Sequence, residues 1–367
     1  MFLVFTVIFV ALIFTYTNGF HDTANAIATV VGTKVLTPRQ AIILATVTNL
    51  LGAMVGAAVA KTIASGLVDS KFIPEGMASP MLICALIAAI FWNLLTWYFG
   101  MPSSSSHALV GGLCGAAFGV AHGNWHAIIW SQAPAIGKPW WTGGGVLYKV
   151  VAPMVISPIL GFIIAFFIMA FLYLSLQKVR PHTVSKSFGI LQLFSSAYMG
   201  FSHGTNDAQK TMGIIALALM AATKAGTFDH LPVWLGFLKA AEPLPGKAMD
   251  IALWIKVLCA LTMAAGTAIG GWRIIRTLGH KLVKLQPVHG FAAETAAASV
   301  LLGAALFGMP VSTTHVITTS IMGVGAARRF NSLKWPVIER IVWAWIMTLP
   351  VSAAIAYALV KVAELRQ

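Results

Sequence analysis

Two short polar stretches carry most of the side chains that could do chemistry. Asn18-Gly19-Phe20-His21-Asp22-Thr23-Ala24-Asn25 follows a run of seventeen almost wholly apolar residues, and Gly204-Thr205-Asn206-Asp207-Ala208-Gln209-Lys210 returns the glycine and aspartate at one offset of 185 residues. Carboxylates and amides inside apolar sequence are costly unless they face a cavity or a ligand, so such a cluster is first a functional-site hypothesis. Asp22 and Asp207 can bind a cation or a proton. Asn25 and Gln209 add neutral amides able to donate or accept hydrogen bonds. Lys210 stands where the repeat calls for asparagine; it can pair with Asp207 at i, i+3 or help hold an anion.

A second pair of motifs is rich in hydroxyls. Met101-Pro102-Ser103-Ser104-Ser105-Ser106-His107 and Met309-Pro310-Val311-Ser312-Thr313-Thr314-His315 match at an offset of 208. Four short helices are expected to start after polar breaks: near Asp22, near Asn206, at 103–106 and at 312–314. A helix start exposes unpaired N–H groups and a positive dipole end, which together make an anion site. Proline at each hydroxyl turn suits a helix start. One serine suffices for an ordinary N-cap, so the runs Ser104-Ser105-Ser106 and Ser312-Thr313-Thr314 exceed that need and are read as ligand-binding. His107 and His315 are read as partners of these turns. Glu294 is the remaining acid in an apolar run, and its repeat counterpart is Leu86. An unpaired carboxylate there is expected to be protonated or to lie against a cation.

These residues need a membrane-spanning frame. The 367-residue chain is 58% hydrophobic and only 9% charged, far below a soluble domain, and apolar segments of bilayer length recur from end to end. Met1–Thr17 lacks a basic leader and runs into the polar cluster, so it is read as mature structure. The net charge of +14 invites a nucleic-acid reading, but the basic residues lie in short connections between apolar segments, where they set orientation and meet lipid headgroups. Cys84, Cys114 and Cys259 have no metal-type spacing and read as small core residues.

Twelve apolar segments fall into two sixes with the same landmarks in the same order, an internal duplication: 1–176, a cytoplasmic connection at 177–186, and 187–367. The segments after the polar stretches are too short to cross alone, so 1–18 with 22–33, and 187–203 with 206–222, are each read as one broken crossing. The hydroxyl turns are either tips of re-entrant hairpins or loops between full spans. With both termini outside, the inward connections Lys34–Arg39, Lys178–Lys186, Arg273–Lys284 and Arg328–Arg340 hold 13 basic residues against 9 on the longer outward loops. An odd number of crossings per half turns the second half upside down. The expected fold is therefore an all-α integral membrane protein of two inverted-topology repeats, with broken helices or helical hairpins meeting at a central midplane site. That pattern points to a secondary transporter.

At these motifs the chain resembles the inorganic phosphate transporter (PiT) family, and the likeness extends to Arg273-Ile274-Ile275-Arg276-Thr277-Leu278-Gly279 and Glu294. The resemblance implies cation-coupled uptake of phosphate across the cytoplasmic membrane. It also implies that Asp22, Asn25, Asp207, Ser104, Ser105, Ser106, Ser312, Thr313 and Thr314 line one central site, with Glu294 a coupling residue. Asn206 joins Asp22, Asp207 and Glu294 as a candidate for the coupling cation, and Lys210 joins the phosphate set. His21, Thr23, His107, Gln209, His315 and Asn49 are expected in support. Sodium-coupled animal members carry Gly-Ala-Asn-Asp where Gly19–Asp22 stands, asparagine at Lys210 and glutamate at Asn49. The chain looks more like the bacterial low-affinity branch, for which proton symport of neutral metal-phosphate complexes is the usual assignment. Asp22 and Asp207 are the positions for Na+ if sodium is used.

The expected partners are inorganic phosphate, H+ or Na+, a divalent metal accompanying phosphate, and membrane lipid, with a homo-oligomer allowed; no cofactor, resident metal, enzyme activity or nucleic acid is expected. A symporter of sulfate or another tetrahedral oxyanion is the alternative within the class. From other classes, a passive anion channel sits poorly with carboxylates beside an anion site. A hydrolase built on the serine run lacks an acid–base partner at short spacing.

Overall fold

A computed structural model of the chain describes residues 1–134, 136–240, 251–281, 285–328 and 333–365. Of the basic residues in the inward connections, Lys284 and Arg329 lie outside the described residues, as do Lys247 and Arg366 among the nine of the outward loops. Among those described, the regular elements are helices: α1 (Phe2–Gly32), α2 (Pro38–Ala53), α3 (Ala58–Ser65), α4 (Ala78–Tyr98), α5 (Ser105–Val120), α6 (Ala152–Ser175), α7 (Pro181–Lys224), α8 (Leu253–Ile269), α9 (Trp272–Arg276), α10 (Pro287–Leu306), α11 (Thr313–Arg328) and α12 (Trp335–Glu364). Local sequence explains several starts. Pro38, Pro181 and Pro287 stand in the first helical turn, and α2 carries a capping box of Thr37 and Gln40. Large apolar side chains such as Phe9, Phe167, Phe171 and Phe194 point outward, as lipid-facing positions require.

The expected breaks at the polar stretches are absent. α1 runs unbroken through Asn18–Asn25, and α7 runs for 44 residues through His203–Lys210. Each pair of segments is one element, but no helix starts near Asp22 or Asn206, and those two anion-binding helix ends do not exist. A continuous helix keeps its backbone hydrogen bonds within the segment, which a break in apolar surroundings would forfeit. Most of the connection assigned to 177–186 is likewise the first turns of α7.

Bends do occur, elsewhere. α2 and α3 meet at 66°, and α8 bends by 65° into the segment 273–279. Gly56 at the first bend and Gly270 at the second have φ of +82° and +76°, a backbone region open to glycine and strained for other residues. These two glycines are related by an offset of 214.

That offset exposes a two-fold relation. A Cβ on Gly52 of α2 would collide with the carbonyl of Phe201 on α7, and one on Gly266 of α8 would collide with that of Tyr16 on α1. The converse pairs hold as well: Gly204 lies against the Asn49 carbonyl, and Gly19 against that of Met263. Gly52 and Asn49 map to Gly266 and Met263 at 214, while Tyr16 and Gly19 map to Phe201 and Gly204 at 185. The α2–α7 and α8–α1 crossings are thus the same glycine-mediated interface built twice. In the same way α5 packs on α12 as α11 packs on α6. Thr62 donates to the Gly308 carbonyl at 2.7 Å, and Thr277 to the Gly100 carbonyl at 2.9 Å. Gly100 and Gly308, at φ +63° and +65°, begin the two hydroxyl turns.

Candidate functional site

The two hydroxyl turns are the tips of the α4–α5 and α10–α11 pairs, and they meet between α1 and α7. Ser106 Oγ donates to the Val311 carbonyl of the other tip at 3.1 Å. The tips also reach the middle of α1, where Ser105 Oγ donates to Asp22 Oδ2 at 2.8 Å. α5 starts at Ser105, not Ser103. Ser104 and Ser312 act as N-caps, their hydroxyls accepting from the backbone N–H of His107 and His315 at 3.2 Å each. Pro102 and Pro310 lie just before these caps rather than at the first helical position.

Around this junction the two copies are again related. Asp22 accepts from Ser105, and Asp207 Oδ2 accepts from Thr313, the counterpart of Ser105, at 3.5 Å. Asn25 Nδ2 donates to Thr313 Oγ1 at 3.1 Å and to Thr314 Oγ1 at 2.9 Å. Lys210, in Asn25's place, donates to Ser106, the counterpart of Thr314. Its ammonium also pairs with Asp207 Oδ1 and lies 3.4 Å from the Val311 carbonyl. Of the two readings of Lys210, the structure displays the ion pair. Lys210 is wholly buried, which a lysine tolerates only with such partners.

The aspartates differ in their other partners. His21 Nδ1 lies 2.8 Å from Asp22 Oδ1, and its Nε2 reaches Thr96, which in turn meets Ser103 at 2.7 Å. His203 Nε2 is 3.2 Å from Asp207 Oδ2, and its Nδ1 contacts Asn49 Oδ1 at 3.0 Å. One ligand atom each from Asp22, His203 and Asp207 all lie within 4.8 Å of one another, a set able to hold a cation. If both carboxylates are ionised at that separation, their repulsion is about 3 kcal/mol or more. Two carboxylates thus stand against one ammonium, beside hydroxyl and amide donors. Among the described residues Asn25 Oδ1 and Asn206 Oδ1 are buried acceptors without a partner, while Asn206 Nδ2 reaches the Met309 carbonyl at 3.4 Å.

Other predicted residues lie apart from this junction. Gln209 Oε1 accepts from Val59 N at 2.9 Å, and its Nε2 donates to the Val55 carbonyl, so its amide caps the start of α3. Thr23 bonds back to the Gly19 carbonyl at 2.5 Å. His107 and His315 face each other with ring centroids 4.8 Å apart, and His315 stacks on Trp345.

Glu294 forms its own cluster one turn along α1 from Asn25. It accepts from Thr29 at 2.5 Å, from Gln192 at 3.1 Å and from Ser195. No cation pairs with it among the described residues. The positions equivalent to Glu294, Thr29, Gln192 and Ser195 are Leu86, Ile214, Val7 and Val10, all part of one hydrophobic cluster. The polar group therefore belongs to one side of the molecule alone.

Gln192, Ser195, Thr29 and Thr96 are not legible as site residues in the sequence, and His203, directly before the second polar stretch, carries no role there. His203 stands four residues before Asp207, a spacing that places both on one helix face. Assuming a break between them hid it.

A buried junction of paired helix tips, two carboxylates and neutral donors, assembled by two-fold related copies, defines a polytopic membrane protein of the solute-transporter class. Comparison with known proteins specifies it further. The chain matches the model of the phosphate transporter family (PHO4) over residues 18–186 and 175–356, and it belongs to that family. It is 41% identical over 363 residues to a protein of Bacillus subtilis (strain 168) named "Probable low-affinity inorganic phosphate transporter", spanning 97% of both chains. A Rhizobium meliloti (strain 1021) protein of the same name is 39% identical over 349 residues, covering 95% of this chain and 92% of the relative. A solved structure titled "The sodium-dependent phosphate transporter" superposes with a TM-score of 0.80 over 100% of both chains at 24% identity, which establishes the shared fold. These relatives are named as transporters rather than enzymes.

Proposed function

We propose that the chain imports inorganic phosphate across the cytoplasmic membrane by cation symport, with both termini on the outer face. The observation that carries this reading is the convergence of two carboxylates, one ammonium and several hydroxyl and amide donors at one buried junction. With carboxylates outnumbering ammonium beside the donors that would bind phosphate, an anion enters favourably only with a cation or proton that offsets its charge. Binding both together favours movement of the loaded site over movement with anion alone.

Asp22 is the place for the coupling ion, because Asp207 already holds Lys210. A proton on Asp22 is the first reading. Sodium is the second, favoured by the three converging ligand atoms of Asp22, His203 and Asp207. The same set would suit a divalent metal arriving with phosphate. Free acceptors on Asn25 and Asn206 favour phosphate over sulfate, since phosphate carries a proton to donate at neutral pH and sulfate does not.

In proteoliposomes, Asp22→Asn should abolish gradient-driven uptake of labelled phosphate while leaving the protein folded. Uptake at the wild-type rate would remove Asp22 from the coupling. Excess sulfate should leave wild-type phosphate uptake unchanged, and strong competition would replace phosphate specificity with a general oxyanion reading.

A further inference from the structure

Lys210 occupies the place of Asn25 in the second copy, and the two side chains reach equivalent hydroxyls, Ser106 and Thr314. They differ in charge. The Lys210 ammonium is enclosed by a carboxylate oxygen of Asp207, the Ser106 hydroxyl and the Val311 main-chain carbonyl. Carboxylate, hydroxyl and carbonyl oxygens are the ligands a hard inorganic cation selects. In the first copy the carboxylate of Asp22 and the hydroxyls of Ser105 and Thr314 form a similar oxygen set. There the neighbouring side chain is the neutral Asn25, and among the described residues no lysine or arginine pairs with Asp22.

We propose that the Lys210 ammonium is a tethered cation. It fills, in the second copy, the position that a diffusible monovalent cation would take beside an asparagine. The protein therefore couples phosphate movement to one dissociable cation fewer than the same site with asparagine at 210. This rests on the symport reading given above. A lysine bound to Asp207, Ser106 and Val311 travels with the site but never leaves it, so it neutralises one carboxylate without adding to the transported charge.

The test is Lys210→Asn, read in two ways. In proteoliposomes supplied with Na+, simultaneous measurement of current and of labelled phosphate gives the charge moved per phosphate, which should rise by one relative to wild type. Equilibrium binding of radioactive Na+ to the purified protein should rise by one ion per chain. If the variant transports with an unchanged ratio and binds no additional Na+, the proposal is overturned. A weakened phosphate affinity with the ratio unchanged would instead make Lys210 a direct anion ligand, and would overturn it equally. A variant that binds but does not transport is decided by the Na+ count alone. If Lys210→Asn does not fold, Lys210→Gln keeps an amide at the position and is read in the same way. Wild-type vesicles that take up no phosphate would refute the transport reading, while the difference in Na+ bound would still decide the role of the lysine.

Discussion

The ion pair between Asp207 and Lys210 permits a quantitative test. Replacing Asp207 with asparagine leaves the ammonium buried with only the Ser106 hydroxyl, the Val311 carbonyl and the new amide oxygen as neutral partners. Breaking a buried pair by removing one member typically costs 3–5 kcal/mol. The reverse change, Lys210→Met, should cost less, because Asp207 keeps a partner in His203, 3.2 Å from its other carboxylate oxygen. Removing both charges should cost less than the two single changes together, with a coupling of about 2–3 kcal/mol. Reversible unfolding in mixed detergent micelles, run for the wild type, both single variants and the double variant, reads all four values. Additive single costs, or a Lys210→Met cost as large as that of Asp207→Asn, would refute this account of the junction.

Two further predictions concern the frame and the second polar cluster. Gly52→Ala and Gly266→Ala should each lower stability by about 1–3 kcal/mol, because the added carbon overpacks the same interface in both copies. Thermal unfolding in detergent would contradict the two-fold relation if one change were silent and the other severe. Replacing Glu294, Thr29, Gln192 and Ser195 together by their counterparts Leu, Ile, Val and Val should give a folded protein, since burying matched apolar groups removes every unpaired partner at once. Glu294→Leu alone should cost about 1–3 kcal/mol through the stranded Gln192 amide. If Glu294 has the coupling role that the family resemblance implies, the fourfold variant should bind phosphate but lose gradient-driven accumulation, as measured by isotope binding and vesicle uptake.

Much of this architecture can be read from residue order alone, and what cannot has physical causes. The duplicated aspartate stretches and hydroxyl turns are local patterns, and they identify the halves and the helix tips that meet. The helix path through them is not local. Glycine beside asparagine and histidine looks like a break when only propensity is weighed, yet Gly19 and Gly204 are there to let α8 and α2 approach closely. The true bends at Gly56 and Gly270 are disguised by apolar residues on both sides, which read as uninterrupted spans. A helix break before Asn206 would separate His203 from Asp207, whereas the continuous α7 places them at i, i+4 on one face. The partners of Glu294 depend on how α1, α7 and α10 pack, and no spacing in the chain encodes that. Gln209 reads as a site amide from its motif, but the bend after α2 turns the start of α3 toward it and claims it as a cap.

The reciprocal interfaces bear on energetics as well as shape. In a transporter made of inverted copies, the inward-open and outward-open forms arise by exchanging the roles of the two halves. With identical residues at every matched position, the two forms would be equal in free energy and equally populated. Bias between them must then originate at mismatched pairs. Asn25 against Lys210 is one, and the Glu294 cluster against Leu86, Ile214, Val7 and Val10 is another. A buried carboxylate with three hydrogen-bond donors responds to water and ions in a way that four aliphatic side chains do not. The form that opens the Glu294 side to water is therefore the one whose population should shift when that group gains or loses a charge, which makes this one-sided cluster a natural weight on the resting equilibrium.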